Sequence, residues 1–234
     1  MKNTVFLVAF FLLTTLYSSD LPGANNGWKL KKDHERFQVY VREKTDSDID
    51  EVQVVALISG TIKEAYDIIL DIGNYPQTFG PYVIQSEIVK KGVDCNNVYL
   101  LMNPPVIEKR ETFIRLCTTY NSFNSFSFYW KNIPDSPFGK KKNIVPMDLT
   151  NGSCTFTETS TIDELQVICE ASLDLGGSIP IFAINEINTK AIPQVIWQIY
   201  DEISKRREMS DQLFNSSAPE SEKKIPKKKG KKEK

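Results

Sequence analysis

The stretch GGSIPIFAINEINTKAIPQVIWQIYDEISKRR, residues 176–207, decides the fold that we predict for this chain. Its first five residues have the composition of a turn, and the residues after them carry apolar side chains at steps of three or four. We expect one long helix from about Pro180 to Met209, kinked at Pro193 because proline lacks a backbone donor. The stripe predicted to face the core is Ile184, Ile187, Ala191, Val195, Ile199 and Ile203.

A series of strands is predicted before this helix. Alternating apolar and polar residues indicate strands at 37–41, 51–59, 84–90, 98–102, 112–119, 122–131, 153–159 and 165–173. Thr61, with Glu64 three residues later, predicts a capping box at the start of a short helix over 62–70. The predicted fold class is α+β: a curved antiparallel β-sheet wrapped around a long C-terminal helix. A helix closing over such a sheet encloses a hydrophobic cavity that suits an apolar molecule.

The N-terminus predicts export. Lys2 is followed by an uncharged apolar run over residues 5–17, whose thirteen residues are fewer than the roughly 20 that span a bilayer. We therefore predict a secretory signal peptide over residues 1–19 and a short linker over 20–27, with cleavage after Ala24 and an uncleaved anchor as alternatives. The expected location is exported, either periplasmic or secreted.

The C-terminal residues 210–234 are predicted to form a disordered Lys-rich tail. Residues 221–234 contain eight lysines against two glutamates, a local charge of +6, within a chain whose net charge is −1. The charge of the remainder, without this tail and Lys2, is −8, and an acidic body argues against a nucleic-acid partner. The tail either docks on an anionic membrane surface or is a solvated end. We expect a monomer whose domain covers residues 28–209.

Four cysteines in an exported chain suggest disulfides. Cys154 and Cys169 lie at equal distances from the predicted hairpin turn at residues 161–162. Cys95 and Cys117 lie symmetrically about residue 106 on neighbouring strands. We prefer the pairings 95 to 117 and 154 to 169, with four unpaired buried thiols as the alternative. No CxxC spacing occurs, so no metal site is predicted.

Three segments resemble a known family. Residues 71–75 with 80–82 resemble its D…Y..W.P segment, with Phe79 in place of the usual Trp. Residues 98–99, 104–105 and 110–113 resemble its segment ending in RD.v, with Glu111 in place of Asp. Residues 176–193 resemble its GG.iP.w.vn ending, with Phe182 in place of Trp. The resemblance is to START-like domains of the helix-grip lipid-binding superfamily, and it implies a hydrophobic tunnel that binds sterols, phospholipids or other apolar molecules.

The wall of such a tunnel is predicted from strand and helix alternation. Inward-facing candidates on the strands and on the long helix are Phe113 or, as its alternative, Ile114, together with Phe126, Phe128, Trp130, Phe156, Val167, Ala171, Phe182, Ile187, Ala191 and Val195. Each of these side chains, taken alone, is also what ordinary core packing produces. Two polar candidates for orienting a ligand are Arg110, which can instead form a structural ion pair, and Glu158.

Little in the sequence indicates catalysis. No hydrolase, zinc-protease or phosphate-loop motif is present, and the single histidine, His34, lies in a charged run. We therefore predict a carrier or sensor, without a cofactor, that binds and can transfer a lipid or other apolar small molecule. The alternatives are a superfamily enzyme, cyclase or hydrolase-like, using Arg110, Glu158 or Tyr129, and an interaction module whose interior is filled.

Overall fold

The computed structural model describes residues 27–105, 107–134, 138–139 and 141–217. Of Leu149 and residues 214–217 it describes only the backbone. The predicted signal peptide, nearly all of the predicted linker and residues 218–234 of the predicted tail lie outside the described residues. Among the described residues, no helix combines the length and the apolar composition needed to cross a membrane.

The described strands form one sheet. In chain order they are β1 (Lys29–His34), β2 (Phe37–Arg42), β3 (Glu51–Ser59), β4 (Val83–Lys90), β5 (Cys95–Met102), β6 (Lys109–Ser122), β7 (Ser125–Asn132), β8 (Ile144–Pro146), β9 (Leu149–Glu158) and β10 (Glu164–Asp174). Their order across the sheet is β1-β2-β3-β10-β9-β7-β6-β5-β4, all antiparallel, and the short β8 adds a parallel pair with β6. The sheet is curved and does not close into a barrel, as the helix-grip arrangement requires.

The helices are α1 (Ile62–Leu70), α2 (Tyr75–Thr78) and α3 (Ile181–Ser217), with a 3-10 turn at Ile72–Asn74 before α2. The capping box predicted for α1 is confirmed: Thr61 Oγ1 accepts from the Glu64 backbone N–H, and a Glu64 carboxylate oxygen accepts from the Thr61 N–H. α3 extends eight residues beyond the predicted end at Met209. No glycine or proline occurs between Met209 and Pro219 to stop it earlier.

One face of the sheet packs against α1 and α3, and we call it the inner face. Alternation along the central strand β10 places Leu165, Val167, Cys169 and Ala171 on it, and all four are buried. β3 contributes Val52, Val54, Ala56 and Ile58 to the same core. The core therefore lies between the middle of the sheet and the two helices.

The two predicted cysteine pairings are both present as disulfides. Cys154 and Cys169 are register partners on β9 and β10, and Cys95 and Cys117 are register partners on β5 and β6. The first bridge belongs to the core on the inner face. The second lies on the opposite, outer face, because Cys117 alternates with Leu116, which faces the core.

Proline inside α3 is accommodated by a side chain from another element. Pro193 has no N–H to donate to the carbonyl of Thr189, four residues earlier. Lys32 Nζ, from β1, donates to that carbonyl at 3.1 Å. A buried carbonyl left without a partner is costly, so this contact compensates for the proline.

Candidate ligand-binding face

Aromatic rings form a continuous series along the inner face. Phe126, Phe128 and Trp130 fall on it because they occupy alternate positions of β7, and Phe156 of β9 is the register partner of Phe126. The ring centroids of Phe126 and Phe156 are 5.0 Å apart, those of Phe156 and Phe128 6.1 Å, and those of Phe128 and Trp130 5.7 Å. Tyr66 of α1 continues the series, with its ring 5.5 Å from that of Phe126. These offset and edge contacts are the favourable geometries for aromatic pairs.

Trp130 occupies the end of this series nearest the beginning of α3. Its indole lies over Gly152, its register partner on β9, so closely that a Cβ at residue 152 would be 2.4 Å from the ring. Any side chain at residue 152 would therefore displace the indole. Trp130 is only half-buried, whereas Phe126 and Phe156 are completely buried. The space over the inner face is consequently least filled at the Trp130 end.

Of the other predicted wall residues, Val167 and Ala171 are buried on the inner face of β10. Ile187 and Ala191 lie half-buried on α3, beside its buried face rather than on it. The prediction that Phe182 and Val195 line an interior wall is wrong. The side chain of Phe182 is 77% exposed and that of Val195 is 38% exposed.

The reason is an error in the phase of the helix. The buried positions of α3 are Ile184, Asn188, Ile192, Ile196, Ile199 and Ile203, together with Thr189 and Pro193. The predicted stripe contained 187, 191 and 195 in place of 188, 192 and 196, because Asn188 is polar and the residue before it, Ile187, is apolar. A shift of one residue turns a helix by roughly 100°, which brings Val195 to the surface.

Phe113 was predicted to face the interior, and this prediction is also wrong. Its register partner on β5 is Tyr99, and both side chains lie on the outer face, whereas Ile114 faces the core. Next to Phe113 on that face, Tyr99 donates from its hydroxyl to Glu111 Oε2 at 2.8 Å. Lys141 Nζ contacts the same oxygen at 3.4 Å and donates to the Tyr99 hydroxyl at 2.8 Å. Burial raises the pKa of Tyr99, and the bond to Tyr99 raises that of Lys141.

Arg110 is engaged by backbone carbonyls rather than by an acid. Its residue is 2% exposed, Nε donates to the Leu175 carbonyl at 2.7 Å, and Nη1 donates to the Glu108 carbonyl at 2.7 Å. These bonds tie β6 to the turn that precedes α3. The structural ion pair considered for Arg110, with Glu111 or a nearby acid, is not found among its described contacts, since the carboxylate of Glu111 contacts Tyr99 and Lys141.

Glu158 and Tyr129 lie away from the interior. The predicted hairpin register is confirmed, with Glu158 opposite Leu165, but Glu158 is the last residue of β9 and its side chain is exposed. Tyr129 lies on the outer face and is 46% exposed. Arg110, Glu158 and Tyr129 therefore do not converge on one site.

A polar cluster that the sequence reasoning missed lies beyond Trp130 on the inner face. Thr112 Oγ1 is 3.2 Å from both Asn132 Oδ1 and Thr150 Oγ1. Thr150 is the register partner of Leu173, and the Leu173 carbonyl accepts a hydrogen bond from the Asn188 side-chain amide at 3.0 Å. The alternation of the strands could have identified Asn132 and Thr150. Asn132 is two residues after Trp130, and Thr150 is four residues before Cys154, so both are expected on the same inner face as these residues.

Asn188 is the member of this region with unused hydrogen-bonding capacity. Its residue is 0% exposed, and its Oδ1 accepts no hydrogen bond from the described residues. A buried acceptor without a donor costs free energy, and such groups commonly mark a place where a ligand or water completes the bonding. The polar region thus offers neutral acceptors and hydroxyls, with the Arg110 guanidinium occupied elsewhere.

The interior is closed in this structure. Phe126, Phe156, Val167 and Ile199 are 0% exposed, so protein atoms fill the space beside them. Two hollows of about 420 Å³ and 450 Å³ both open to solvent and both lie beside the β1–β2 hairpin. The second is lined by Phe37, Pro193 and Trp197 together with polar residues. The described residues include no group of His, Cys, Asp and Glu that could hold a metal ion.

No family model matches the chain, and no curated protein matches it. Solved structures do match. A STAR-related lipid transfer protein from Xanthomonas axonopodis is similar with a TM-score of 0.68 at 20% identity, covering 76% of this chain and 99% of that one. Human STARD10 gives 0.69 at 15% identity, covering 82% of each chain. Human StAR-related lipid transfer protein 5 gives 0.66 at 12% identity, covering 78% of this chain and 89% of that one.

These similarities establish the class of fold. The chain has the START-like helix-grip fold, and the fold predicted from the sequence is confirmed. At these identities the likeness concerns the fold alone, because one fold carries many functions. What the protein does must be argued from its own inner face.

Proposed function

We propose that this protein binds a lipid between the aromatic inner face and α3 and carries out no covalent chemistry on it. The observation that carries the proposal is the composition of the inner face: a continuous series of aromatic rings ends, beyond Trp130, in the polar cluster around Thr112, Thr150 and Asn188. Apolar walls with a few convergent polar groups are typical of small-molecule sites. The fold shared with lipid transfer proteins supports the same proposal.

The arrangement favours an amphipathic ligand with a small, uncharged polar group. Its apolar body would lie over Phe126 and Phe156, and its polar group would reach the hydroxyls of Thr112 and Thr150. A ligand hydroxyl that donates to Asn188 Oδ1 would satisfy the acceptor left without a partner.

Ligand entry requires α3 to move, since the interior is closed. The first half of α3 is the part suited to do so, because its polar attachments are side-chain amides bonded to backbone groups, which water can replace. The Trp130 end, where the inner face is least filled, lies under this half of the helix. A ligand that enters there with its apolar body first would bring in its polar group last, and this group would come to lie near Asn188.

The test is native mass spectrometry with organic extraction on the protein purified from its own compartment, followed by titration with the extracted lipid. We expect a stoichiometric lipid and a loss of affinity of roughly tenfold in Asn188→Leu, the effect of one lost buried hydrogen bond. Asn185→Leu is the matched control: it removes an amide from the same helix that bonds Asp48 and Asp50 at the surface. Equal affinity in both variants would contradict the assignment of Asn188.

A filled-interior interaction module is the second candidate, and the complete burial of Phe126, Phe156 and Ile199 favours it. The same experiment separates the two. A chain that carries no lipid, and whose mass no lipid panel shifts, would support the interaction module and contradict lipid binding.

We also propose that the protein is exported and that its Lys-rich C-terminal segment contacts an anionic membrane. The apolar run at residues 5–17 and the two disulfides support export, because disulfides persist in oxidising compartments. Intact-mass measurement of the protein from its producing cell tests the cleavage after residue 19. The eight lysines of residues 221–234 support electrostatic contact with an anionic membrane.

A further inference from the structure

Three β-hairpins of the sheet turn at the same rim. Cys95 at the start of β5 pairs with Cys117 near the end of β6, so the β4–β5 turn and the β6–β7 turn lie at the same end of their strands. Ser125 at the start of β7 pairs with Thr157 near the end of β9, which places the β9–β10 turn there too. The hairpins are neighbours in the sheet, so their turns are about 10 Å apart across the strands, twice the strand spacing. Along the strands the β6–β7 turn protrudes further than the β4–β5 turn, because β6 continues five residues beyond Cys117.

Each of these three turns presents one large apolar side chain to solvent. Val93 in the β4–β5 turn is 99% exposed, Phe123 in the β6–β7 turn is 94% exposed, and Ile162 in the β9–β10 turn is 91% exposed. No other apolar residue among the exposed large ones of the described chain exceeds 77%. Side chains this exposed add little to the stability of the fold, and the three lie on neighbouring turns at one end of the sheet.

The end of α3 reaches the same rim. Arg207 bonds Glu64, in the first turn of α1, and lies 3.8 Å from Asp163 in the β9–β10 turn. The helix continues for ten residues to Ser217, or about 15 Å beyond Arg207, and Met209 on this extension is 54% exposed. The chain then continues into the segment with eight lysines. The last described residues of the chain therefore lie on the side of the molecule that carries the exposed apolar turn residues, and the eight lysines follow them in the sequence.

We propose that this rim is a membrane-docking surface that inserts Val93, Phe123 and Ile162 into the interface of an anionic bilayer. The inference rests on the geometry of the rim and stands whether or not the inner face binds the ligand proposed above. Apolar side chains at protruding turns gain free energy on entering the interface, and lysines near an anionic surface add about 1 kcal/mol each. Two such lysines, Lys90 and Lys91, are exposed next to Val93.

A bilayer fits these residues better than a protein partner does. A protein interface has a contiguous, well-packed apolar core, whereas these three side chains stand singly, at least about 10 Å apart and separated by polar turn residues. A fluid interface accepts separate side chains at any spacing. The β9–β10 turn is the least cationic of the three, with Glu158, Asp163 and Glu164 near Ile162, although Asp163 faces Arg207 and Glu164 accepts from Thr159. We therefore expect Phe123 and Val93 to contribute more than Ile162.

Vesicle flotation tests the proposal, with phosphatidylcholine vesicles that contain or lack phosphatidylserine. The triple variant Val93→Ser, Phe123→Ser, Ile162→Ser should bind the anionic vesicles at least tenfold more weakly than the wild-type protein, and Phe123→Ser alone about fivefold more weakly. The thermal midpoint of the triple variant should equal that of the wild-type protein, since all three side chains are in solvent. Phe182→Ser is the matched control, because this exposed aromatic residue lies at the beginning of α3, the opposite end of the molecule.

Fluorescence gives the depth of insertion. Phe123→Trp should show a blue shift with anionic vesicles and quenching by lipids brominated near the head of the acyl chain. Unchanged binding of the triple variant would overturn the proposal, as would loss of binding in Phe182→Ser alone, which would place the docking surface at the other end. Concentration-dependent self-association that disappears in the triple variant, with no vesicle binding, would assign the rim to a second copy of the chain.

The ligand test is independent of this one. A triple variant that retains its lipid but loses vesicle binding would support both proposals. A wild-type protein that docks on vesicles but never carries a lipid would support the membrane-docking rim and contradict the proposed lipid carrier.

Discussion

The two halves of α3, on either side of Pro193, are attached to the molecule by different kinds of contact. The first half is held by Ile184 and Ile192 and by two amides: Asn185 bonds the Asp48 carbonyl and the Asp50 N–H, and Asn188 bonds the Leu173 carbonyl. Hydrogen bonds of this kind contribute about 1 kcal/mol net, because water replaces them when they break. The first half, with two buried isoleucines and, among the described residues, no ion pair to another element, should therefore separate from the sheet at a lower cost than the second half.

The second half is held by buried aliphatic packing and by ion pairs. Ile196, Ile199 and Ile203 are at most 1% exposed, and the Arg206 guanidinium lies 2.7 Å from an Asp71 carboxylate oxygen. Arg207 donates to both carboxylate oxygens of Glu64 at 2.6 and 2.7 Å. Removing three large aliphatic side chains from the core costs several kcal/mol, which no solvent contact returns. The difference between the halves predicts a helix that opens at its beginning and stays anchored at its end.

The largest expected effect concerns the buried packing that holds the second half of α3. Ile199→Ala should lower the free energy of unfolding by about 2–5 kcal/mol, the usual cost of emptying a fully buried aliphatic site. Ile187→Ala, a half-buried residue of the first half, should cost under about 1.5 kcal/mol because the site can rehydrate. Urea denaturation at constant m-value measures both. Similar costs for the two variants would contradict the difference between the halves.

An intermediate effect is expected for the hydrogen bond from Lys32 to the Thr189 carbonyl, which lies at the boundary between the two halves of α3. Lys32→Met removes the donor to the Thr189 carbonyl, which Pro193 cannot serve, and should cost about 0.5–1.5 kcal/mol. Because the hollow that contains Lys32 and Pro193 opens to solvent, water can reach the carbonyl and the cost stays in this range. The effect should be local, seen as faster amide exchange over the first half of α3.

The control for this variant is Lys31→Met, which removes an exposed lysine from the same strand. Its amide exchange should match that of the wild-type protein. Faster exchange over residues 196–207 in Lys32→Met would show that the two halves open together, which would contradict the difference between them.

The sequence predicted the parts of this comparison that depend on local patterns. The β9–β10 register, the disulfide partners and the α1 capping box follow from turn symmetry and fixed spacings, and all agree with the structure. The phase of α3 does not follow from such patterns. Its buried face contains Asn188 and Thr189, while apolar Ile187 and Val195 lie beside it, so only the position of the Leu173 carbonyl shows why Asn188 faces inward.

The lack of a local sequence pattern also explains why the prediction for Phe113 was wrong. Residues 110–114 of β6 are all buried, so alternation gives no indication of which side faces the helix. The outer face is covered there by the chain around Lys141, whose Nζ contacts Glu111, and this chain reaches β6 only after a long connection from β7. A contact made by a distant segment leaves no periodic signal in the strand that it covers.

The smallest expected effect concerns the ion pair at the end of α3. The hydrogen bond from Arg207 lowers the pKa of Glu64 below its ordinary value of 4.5. A carboxyl whose pKa is lower in the folded state stabilises the fold above its unfolded pKa, and this contribution is lost as the pH falls through the folded pKa. Because both side chains are about one-third exposed, we expect less than about 1 kcal/mol.

Thermal midpoints measured from pH 7 to about pH 3 for the wild-type protein and for Glu64→Gln check this contribution. Gln supports the capping box with Thr61, so the variant removes the charge and keeps the helix start. The wild-type protein should be slightly more stable at pH 7, and the difference should vanish as Glu64 becomes protonated below pH 4.5. A difference that persists at low pH would mean that Glu64 acts through packing, and the end of α3 would then be anchored by its isoleucines alone.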